Sequence, residues 1–383
     1  MSCQRSNEKT SRIVVLHGGV TFRDSRSSLE VCKRVMKASN GAVEAVENLE
    51  HSGSFNAGRG SSLTREGTVE IEAAVCAVDE EGELSFGGVG ACSRVASPVR
   101  VAEALADSRR EQQENGLIDP MVLVGEGVEK WATDNGMEVL EESFKSAESD
   151  KEWRKAMDLI NGATSSVNDS MRAMDTVGAA DLSLTDWSST AACSSGGVIL
   201  KRPGRLGHCT TFGAGVWVEQ RDVQESDYRI RGSVSICLTG CGEAIVRLDA
   251  ARSIGKKITE RCPFTSLPEV IAAFYKASLH SENRLLKRVN PAHLFMGGVA
   301  IVREEKRRVE GGGGGGDESL AATQLEESTD EEDLEWLETL DLIVFHNTPF
   351  LPVAWKDERG KVRAMMSRRE KETDGVTVTV FPL

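Results

Sequence analysis

The order of elements in this chain predicts an α/β protein of four layers, α/β/β/α. Two sheets lie face to face, with helices on their outer sides. Two observations carry this. Apolar runs of strand length occur near both ends of the 383-residue chain and in its middle. Between them lie segments with helical spacing, so blocks run strands, helices, strands, helices, strands. A hydrophobic content of 39% is ordinary for a globular protein with a sizeable core. Length alone allows two or three domains.

"RIVVLHGGV" (Arg12–Val20) reads as a buried strand entering a glycine turn. Ser28 to Leu49 has helical spacing, and "FNAGRGSSL" is a glycine-broken loop. "VEIEAAVCAVD" and "ELSFGGVGACS" form a hairpin around Glu80-Glu81-Gly82. Pro98–Gln113 and Val122–Asn135 read as helices. From 138 to 175 the pattern dissolves into a flexible linker, interrupted by one amphipathic piece, Trp153 to Ile160. Strands return with "TVGAADLS", "STAACSSGG", "FGAGVWVE" and "VSICLTG". Helices over Glu243–Ile258 and Leu267–Leu286 follow. The last strands are "MGGVAIVRE", "LDLIVFHN", "VAWKDERGKVRAMMS" and "GVTVTVF". Residues 311–338, six glycines and then an acidic run, read as a disordered, solvated insertion. The glycines lack a following Gly-Lys-Ser/Thr, which excludes a phosphate loop.

The net charge is −14, but Asp317–Glu338 holds ten acids and no base, so the acidity is mostly local. Nothing resembles a basic nucleic-acid face, and no direct nucleic-acid or membrane partner is expected. Nine cysteines without a CxxC pair fit a reducing compartment. The N-terminus shows no secretory signal, and the expected location is cytoplasm or nucleus.

Chemistry enters at "MDTVGAADLS". A strand opens on Thr176 directly after Asp175 and a loose linker. An internal threonine is a poor nucleophile, whereas a terminal one carries its own base, an α-amine of pKa about 7.7–8. Cleavage between Asp175 and Thr176 would create that nucleophile; an ordinary strand start is the plain alternative. Three later stretches add weight: "CSSGG" (Cys193–Gly197), "KRPGRLGH" (Lys201–His208) and "LTGCGEAIVR" (Leu238–Arg247). The last is a strand ending in a glycine turn, whose N–H groups could meet a developing oxyanion.

The ordered set "DTVGA", "SSGG", "KRPGRLG" and "TGCGE" resembles the asparaginase-type N-terminal nucleophile hydrolases, and among them the taspases, or threonine aspartases. "FNAGRGSSL…GTVEIEAAV" and "VLVGEGVEKWATDNG" resemble the family's first subunit. The resemblance implies an N-terminal nucleophile hydrolase sandwich made as one chain and cut into segments 1–175 and 176–383, which stay one folded domain. It implies that Thr176 is nucleophile and base and that Ser195 orients its amine. Arg205 pairs with a substrate carboxylate, Thr239 and Gly240 form the oxyanion hole, and Gly242 and His208 line the substrate site. Asn56 lies in a loop near it. Asp175 before the nucleophile, and His208 where asparaginases carry an aspartate for the substrate's ammonium, lean toward an endopeptidase cutting proteins after aspartate. The resemblance also implies a homodimer of αβ units.

The chain departs from the family in reading "EIEAAV", at Glu72 or Ala73, where an aspartate is usual. The histidines have no metal-ligand spacing, so no catalytic metal and no cofactor is assigned. His17 and His346 read as hydrogen-bonded structural residues. "LEHSGSFNAG" resembles a loop that holds a structural sodium through backbone carbonyls in asparaginases. Two other readings stay open: an L-asparaginase or isoaspartyl peptidase of the same fold, and an unprocessed interaction protein.

Overall fold

The computed structural model describes residues 12–108, 118–162, 176–225, 228–262, 264–308, 336–369 and 375–383. The larger of its two sheets has eight strands. They are β1 (Arg12–His17), β2 (Ile71–Val78), β3 (Leu84–Cys92), β4 (Val122–Val124), β5 (Val177–Ser183), β6 (Ser189–Ser195), β11 (Phe350–Lys356) and β12 (Val362–Arg368). Their spatial order is β12-β11-β1-β5-β6-β2-β3-β4. The second sheet holds β7 (Val216–Glu225), β8 (Tyr228–Gly240), β9 (Met296–Arg308), β10 (Trp336–His346) and β13 (Thr377–Pro382), in the order β13-β10-β9-β8-β7.

Strands at the centre of the first sheet are buried on both faces, which explains why they read as unbroken apolar runs. Ile13 and Val15 of β1, Ala180 and Leu182 of β5, and Ala191 and Cys193 of β6 face the second sheet and join its Val234, Ile236 and Val299. The alternate residues Val14, Leu16, Val177, Ala179 and Ala192 face a second core. That core is roofed by α1 (Arg26–Ala38), α2 (Ala42–Ser52) and α3 (Pro98–Ser108). On the far side, α7 (Ala250–Thr259) and α8 (Leu267–Ser278) cover the second sheet through Ile254, Ile258, Ile271 and Phe274. The stack is four layers, α/β/β/α, as the element order predicts.

Several expected elements divide. The helical stretch around Ser28–Leu49 breaks at Ser39–Gly41 into α1 and α2, because buried Asp181 accepts the Ala42 N–H at 2.7 Å and fixes the start of α2. Arg12 pairs with the same carboxylate. Val122–Asn135 is not one helix: it begins as β4, which pairs parallel with β3, and becomes α4 (Glu126–Asp134) after Gly125 at φ 59°. Glu243–Ile258 is two helices, α6 (Gly242–Leu248) and α7, divided at Asp249 in the left-handed region. The helix expected to reach Leu286 ends at Ser278, and that expected to reach Gln113 is described to Ser108. "VAWKDERGKVRAMMS" is a hairpin, β11 and β12, not one strand.

The linker expectation needs the largest correction. Val139 bridges Val95, and Ala147–Ile160 is a four-turn helix, α5, capped by Ser146. Trp153 Nε1 donates to the Thr64 carbonyl at 2.8 Å, and Ala156 packs with Ile199 and Leu200. Residues 163–175, including the Asp175 side of the expected cut, lie outside the described residues. Most of the insertion at 311–338 does too, but its last residues belong to β10, described from Trp336, where Glu338 pairs with Arg303 of β9. Among the described residues, no helix is long and apolar enough to cross a membrane.

Candidate active site

The site begins as a matter of register. In the β5–β6 ladder Val177 lies opposite Ser194, so the next position places Thr176 beside Ser195. In the β6–β2 ladder Ser195 lies opposite Glu72. Side-chain alternation turns all three toward the second sheet, the face shared by Ala180, Cys193 and Ala74. A row of hydroxyl, hydroxyl and carboxylate therefore crosses three strands at one end of the sheet. A β-bulge lies opposite Glu72, where the β2–β3 register shifts between Ile71 and Ala73. Such irregularities commonly re-aim a side chain beside an active site.

Thr176 is buried, and its hydroxyl donates to Ser195 Oγ at 3.1 Å. Ser195 Oγ also accepts the Gly197 N–H at 3.0 Å. Around them closes a small cavity lined by Asn56, Glu72, Thr176, Ser195, Gly197, Val198, Arg205, His208, Gly240 and Gly242. Seven of the residues singled out from the sequence thus meet in one place. Thr239 does not line the cavity: it is buried next to Gly240, with its hydroxyl accepting the Val20 N–H at 3.3 Å.

Asn56 ties two loops to the site. Its Nδ2 donates to the Gly197 carbonyl at 2.7 Å, and its Oδ1 accepts the Ser62 N–H at 2.8 Å. Gly196 has no room for a side chain, since a Cβ there would lie 2.3 Å from Asn56 Oδ1.

Arg205 is no solvated turn cation, for its side chain is only 18% exposed. Nε and Nη2 both donate to Glu243 Oε1, at 2.9 and 2.7 Å, while Nη1 lies 3.8 Å from Glu72 Oε1. Burial works against the guanidinium, but Glu243 and Glu72 outweigh it and hold Arg205 above its ordinary pKa. Sequence reasoning missed Glu72 as a site residue and noted it only as a departure. It is buried, and its Oε2 accepts the Gly207 N–H at 2.7 Å. Burial raises its pKa, against the pull of Lys201 and Arg205. Lys201 was missed too. It is buried, with Nζ donating to the Glu70 carbonyl at 2.7 Å, and burial lowers its pKa against the field of Glu72. The available signal was a charged residue at an inward position of an apolar strand, which needs a partner to be tolerated.

His208 is buried, and its Nε2 has no hydrogen-bond partner. His17 of β1 lies on the same face as Thr176, opposite Gly178, where a Cβ would meet its Nε2 at 2.5 Å. Burial, with His208 adding to it, lowers the pKa of His17 to about 3, so it is neutral. Its Nδ1 accepts the Gly19 N–H at 3.3 Å, and its Nε2 is without a partner. His346 is structural, bonded to the Thr348 carbonyl and the Ser367 hydroxyl, both at 2.8 Å.

No cluster of His, Cys, Asp or Glu suited to a metal occurs among the described residues. In the loop after α2 the carbonyls of Phe55 and Gly53 lie so close to Gly60, at 2.1 and 3.0 Å from where a Cβ would stand, that only glycine fits there.

A profile of the family described as "Asparaginase" matches residues 23–277. An isoaspartyl peptidase/L-asparaginase of Danio rerio is 30% identical over 257 residues, 63% of this chain and 74% of that protein. An isoaspartyl peptidase of Escherichia coli is 32% identical over 249 residues, 61% of this chain and 70% of its own. A plant-type L-asparaginase of Pyrobaculum calidifontis is 30% identical over 249 residues, 61% of this chain and 75% of its own.

Proposed function

Given that the chain belongs to the asparaginase family of N-terminal nucleophile hydrolases, we propose that it is a self-processing threonine hydrolase of the isoaspartyl peptidase/L-asparaginase kind. One observation carries the choice of substrate: Glu72 shares the cavity with Arg205. His208 lacks the fixed negative charge expected of an aspartate at its position, yet Glu72 of β2 brings a carboxylate into the same cavity. A cavity with a cation for a carboxylate and an anion for an ammonium suits the amino-acid end of asparagine or of a β-aspartyl peptide. The relatives bear names of the same activity.

The chemistry runs in two rounds. In the first, Thr176 Oγ1 attacks the Asp175 carbonyl, the peptide C–N bond breaks, and the leaving nitrogen becomes the Thr176 amine. Water opens the ester. In the second, that amine takes the Thr176 hydroxyl proton as Oγ1 attacks the substrate's side-chain amide. Ser195, already bonded to the hydroxyl, steadies the nucleophile, and Gly240, at the end of β8 in the cavity wall, stabilises the oxyanion. The proton passes to the departing ammonia or amine. Water, deprotonated by the same amine, releases aspartate.

A second reading, an endopeptidase cutting after aspartate, is favoured by one feature: His208, not an aspartate, forms the cavity wall. Intact mass should show two fragments meeting at Asp175/Thr176, and Thr176→Ala should abolish them. The processed protein is then offered L-asparagine, a β-aspartyl dipeptide and aspartate-containing protein peptides. Ammonia or dipeptide cleavage supports the first reading. Peptide cleavage without either would replace it with the second, and an uncut, inert chain would remove both.

A further inference from the structure

Arg205 is held on one edge and open on another. Nε and Nη2 converge on a single oxygen of Glu243, so Glu243 takes up the side edge of the guanidinium. That leaves the end edge, Nη1 and the second hydrogen of Nη2. Glycines surround this edge. A Cβ at Gly207 would lie 2.9 Å from Nη1, one at Gly197 3.4 Å from Nη1, and one at Gly242 2.9 Å from Nη2. Gly197 and Gly242 line the cavity that holds Thr176. Glu72 stands beside Nη1 at 3.8 Å, beyond hydrogen-bond length, with one of its oxygens committed to the Gly207 N–H.

We propose that Glu243 is a positioning residue for substrate binding: by clamping the side edge of Arg205, it aims the end edge into the cavity as a two-pronged carboxylate receptor. Two arrangements of the same contacts have opposite consequences. If Glu243 occupied the edge a substrate uses, it would compete with substrate, and its removal would tighten binding. If it occupies the other edge, it organises the receptor, and its removal weakens binding. The glycines decide between them, because Gly197 and Gly242, which line the cavity, lie against Nη1 and Nη2, so the edge Glu243 leaves free is the one that borders the cavity. The Glu243 side chain is 51% exposed and that of Arg205 18%. The clamp therefore reaches in from the solvent side while the receptor faces inward. Burial alone would raise the Glu243 carboxyl, but Arg205 outweighs it and keeps the group below its usual range, hence ionised. A planar guanidinium fixed by one charged partner binds the next with less ordering cost.

The inference rests on the proposed role of Arg205 as carboxylate receptor. Its test uses self-processed protein, the substrate found above, and L-aspartate as a binding probe measured by calorimetry. Glu243→Ala should raise KM and the L-aspartate Kd by about 10-fold or more, the scale of one charge-assisted hydrogen bond, with a much smaller change in kcat. Glu243→Gln keeps an oxygen for Nε and Nη2, so it should restore most of the loss; a purely charge-based role would not be rescued. A fall in KM or Kd in Glu243→Ala would show competition and overturn the proposal, as would values equal to wild type. Normal self-cleavage and turnover with KM unmoved sinks this inference alone, whereas a wild-type chain that neither cuts itself nor binds L-aspartate sinks the functional reading with it.

Discussion

The two walls of the cavity are built by different means. One is the strand row Thr176–Ser195–Glu72, positioned by ladder registers that cannot shift without moving every apolar neighbour to the wrong face. The other is a set of turns carrying Arg205, His208 and Gly240–Glu243. It is positioned by close glycine packing and the Arg205–Glu243 ion pair, and the Asn56 bonds tie the neighbouring Gly197 and Ser62 loops beside it. The difference teaches that one wall is fixed by the sheet itself, while the other is built on segments that can vary without disturbing the sheets.

The contrast predicts unequal costs. Glu72→Ala should be the worse of the two cavity-wall changes, because it removes the carboxylate from between buried Lys201 and the largely buried Arg205. Breaking a buried pair costs about 3–5 kcal/mol. Urea unfolding would read it, and Glu72→Gln, which keeps an acceptor for the Gly207 N–H, should lose less. A cost of about 0.5 kcal/mol or below would mean that this charge does not brace the strand wall. Asn56→Ala comes next. It orphans the Gly197 carbonyl and the Ser62 N–H, at about 1–3 kcal/mol for such buried groups. Its damage should appear as impaired substrate binding ahead of global unfolding. Equal loss in both would erase the distinction between the walls.

The third effect is a slope with pH, and it comes from the helix-covered face behind the strand row. Glu50 of α2 is fully buried, with Oε2 unpartnered among the described residues and Oε1 accepting the Val99 N–H at 3.3 Å. Burial raises its pKa to about 8, offset only in part by Ser194 and Val99. The folded protein thus keeps a proton that the unfolded chain releases above about 4.5. Its stabilisation is whole below that pH and declines as pH rises toward 8, at up to about 1.4 kcal/mol per unit. Glu50→Gln should therefore gain on wild type steadily between pH 5 and 8 and show no advantage at pH 4. A pH-independent difference in melting would show that the carboxyl is not held neutral.

Much of this was legible before any coordinates. Buried runs such as "RIVVLH" and "TVGAADLS" announce central strands, and their order gives the four layers. The motif residues Thr176, Ser195, Arg205, His208, Gly240, Gly242 and Asn56 come to one cavity. What was not legible depends on long-range contacts. The start of α2 is set by Asp181, which lies in a strand far along the chain. Helix α5 needs the Thr64 carbonyl and the Ile199–Leu200 patch to settle its amphipathic face. Glu72 is locally an acid in an apolar strand; only the β2–β6 register reveals its neighbour as Ser195.

The strand order β12-β11-β1-β5-β6-β2-β3-β4 interleaves the two sides of the expected cut. Strand β1 precedes it in sequence yet is wedged between β11 and β5, which follow it; β2 is likewise joined to β6. A break before Thr176 would release no piece, because the fragments are laced through one another like fingers of two hands. Such a nick works as a ratchet: it creates a new chain end at no loss of shape, and parting the pieces demands melting the sheet itself. Mixing separately made fragments would be a different experiment from letting the whole chain fold and then cut. Were the chain cut there, the weave would require folding before scission.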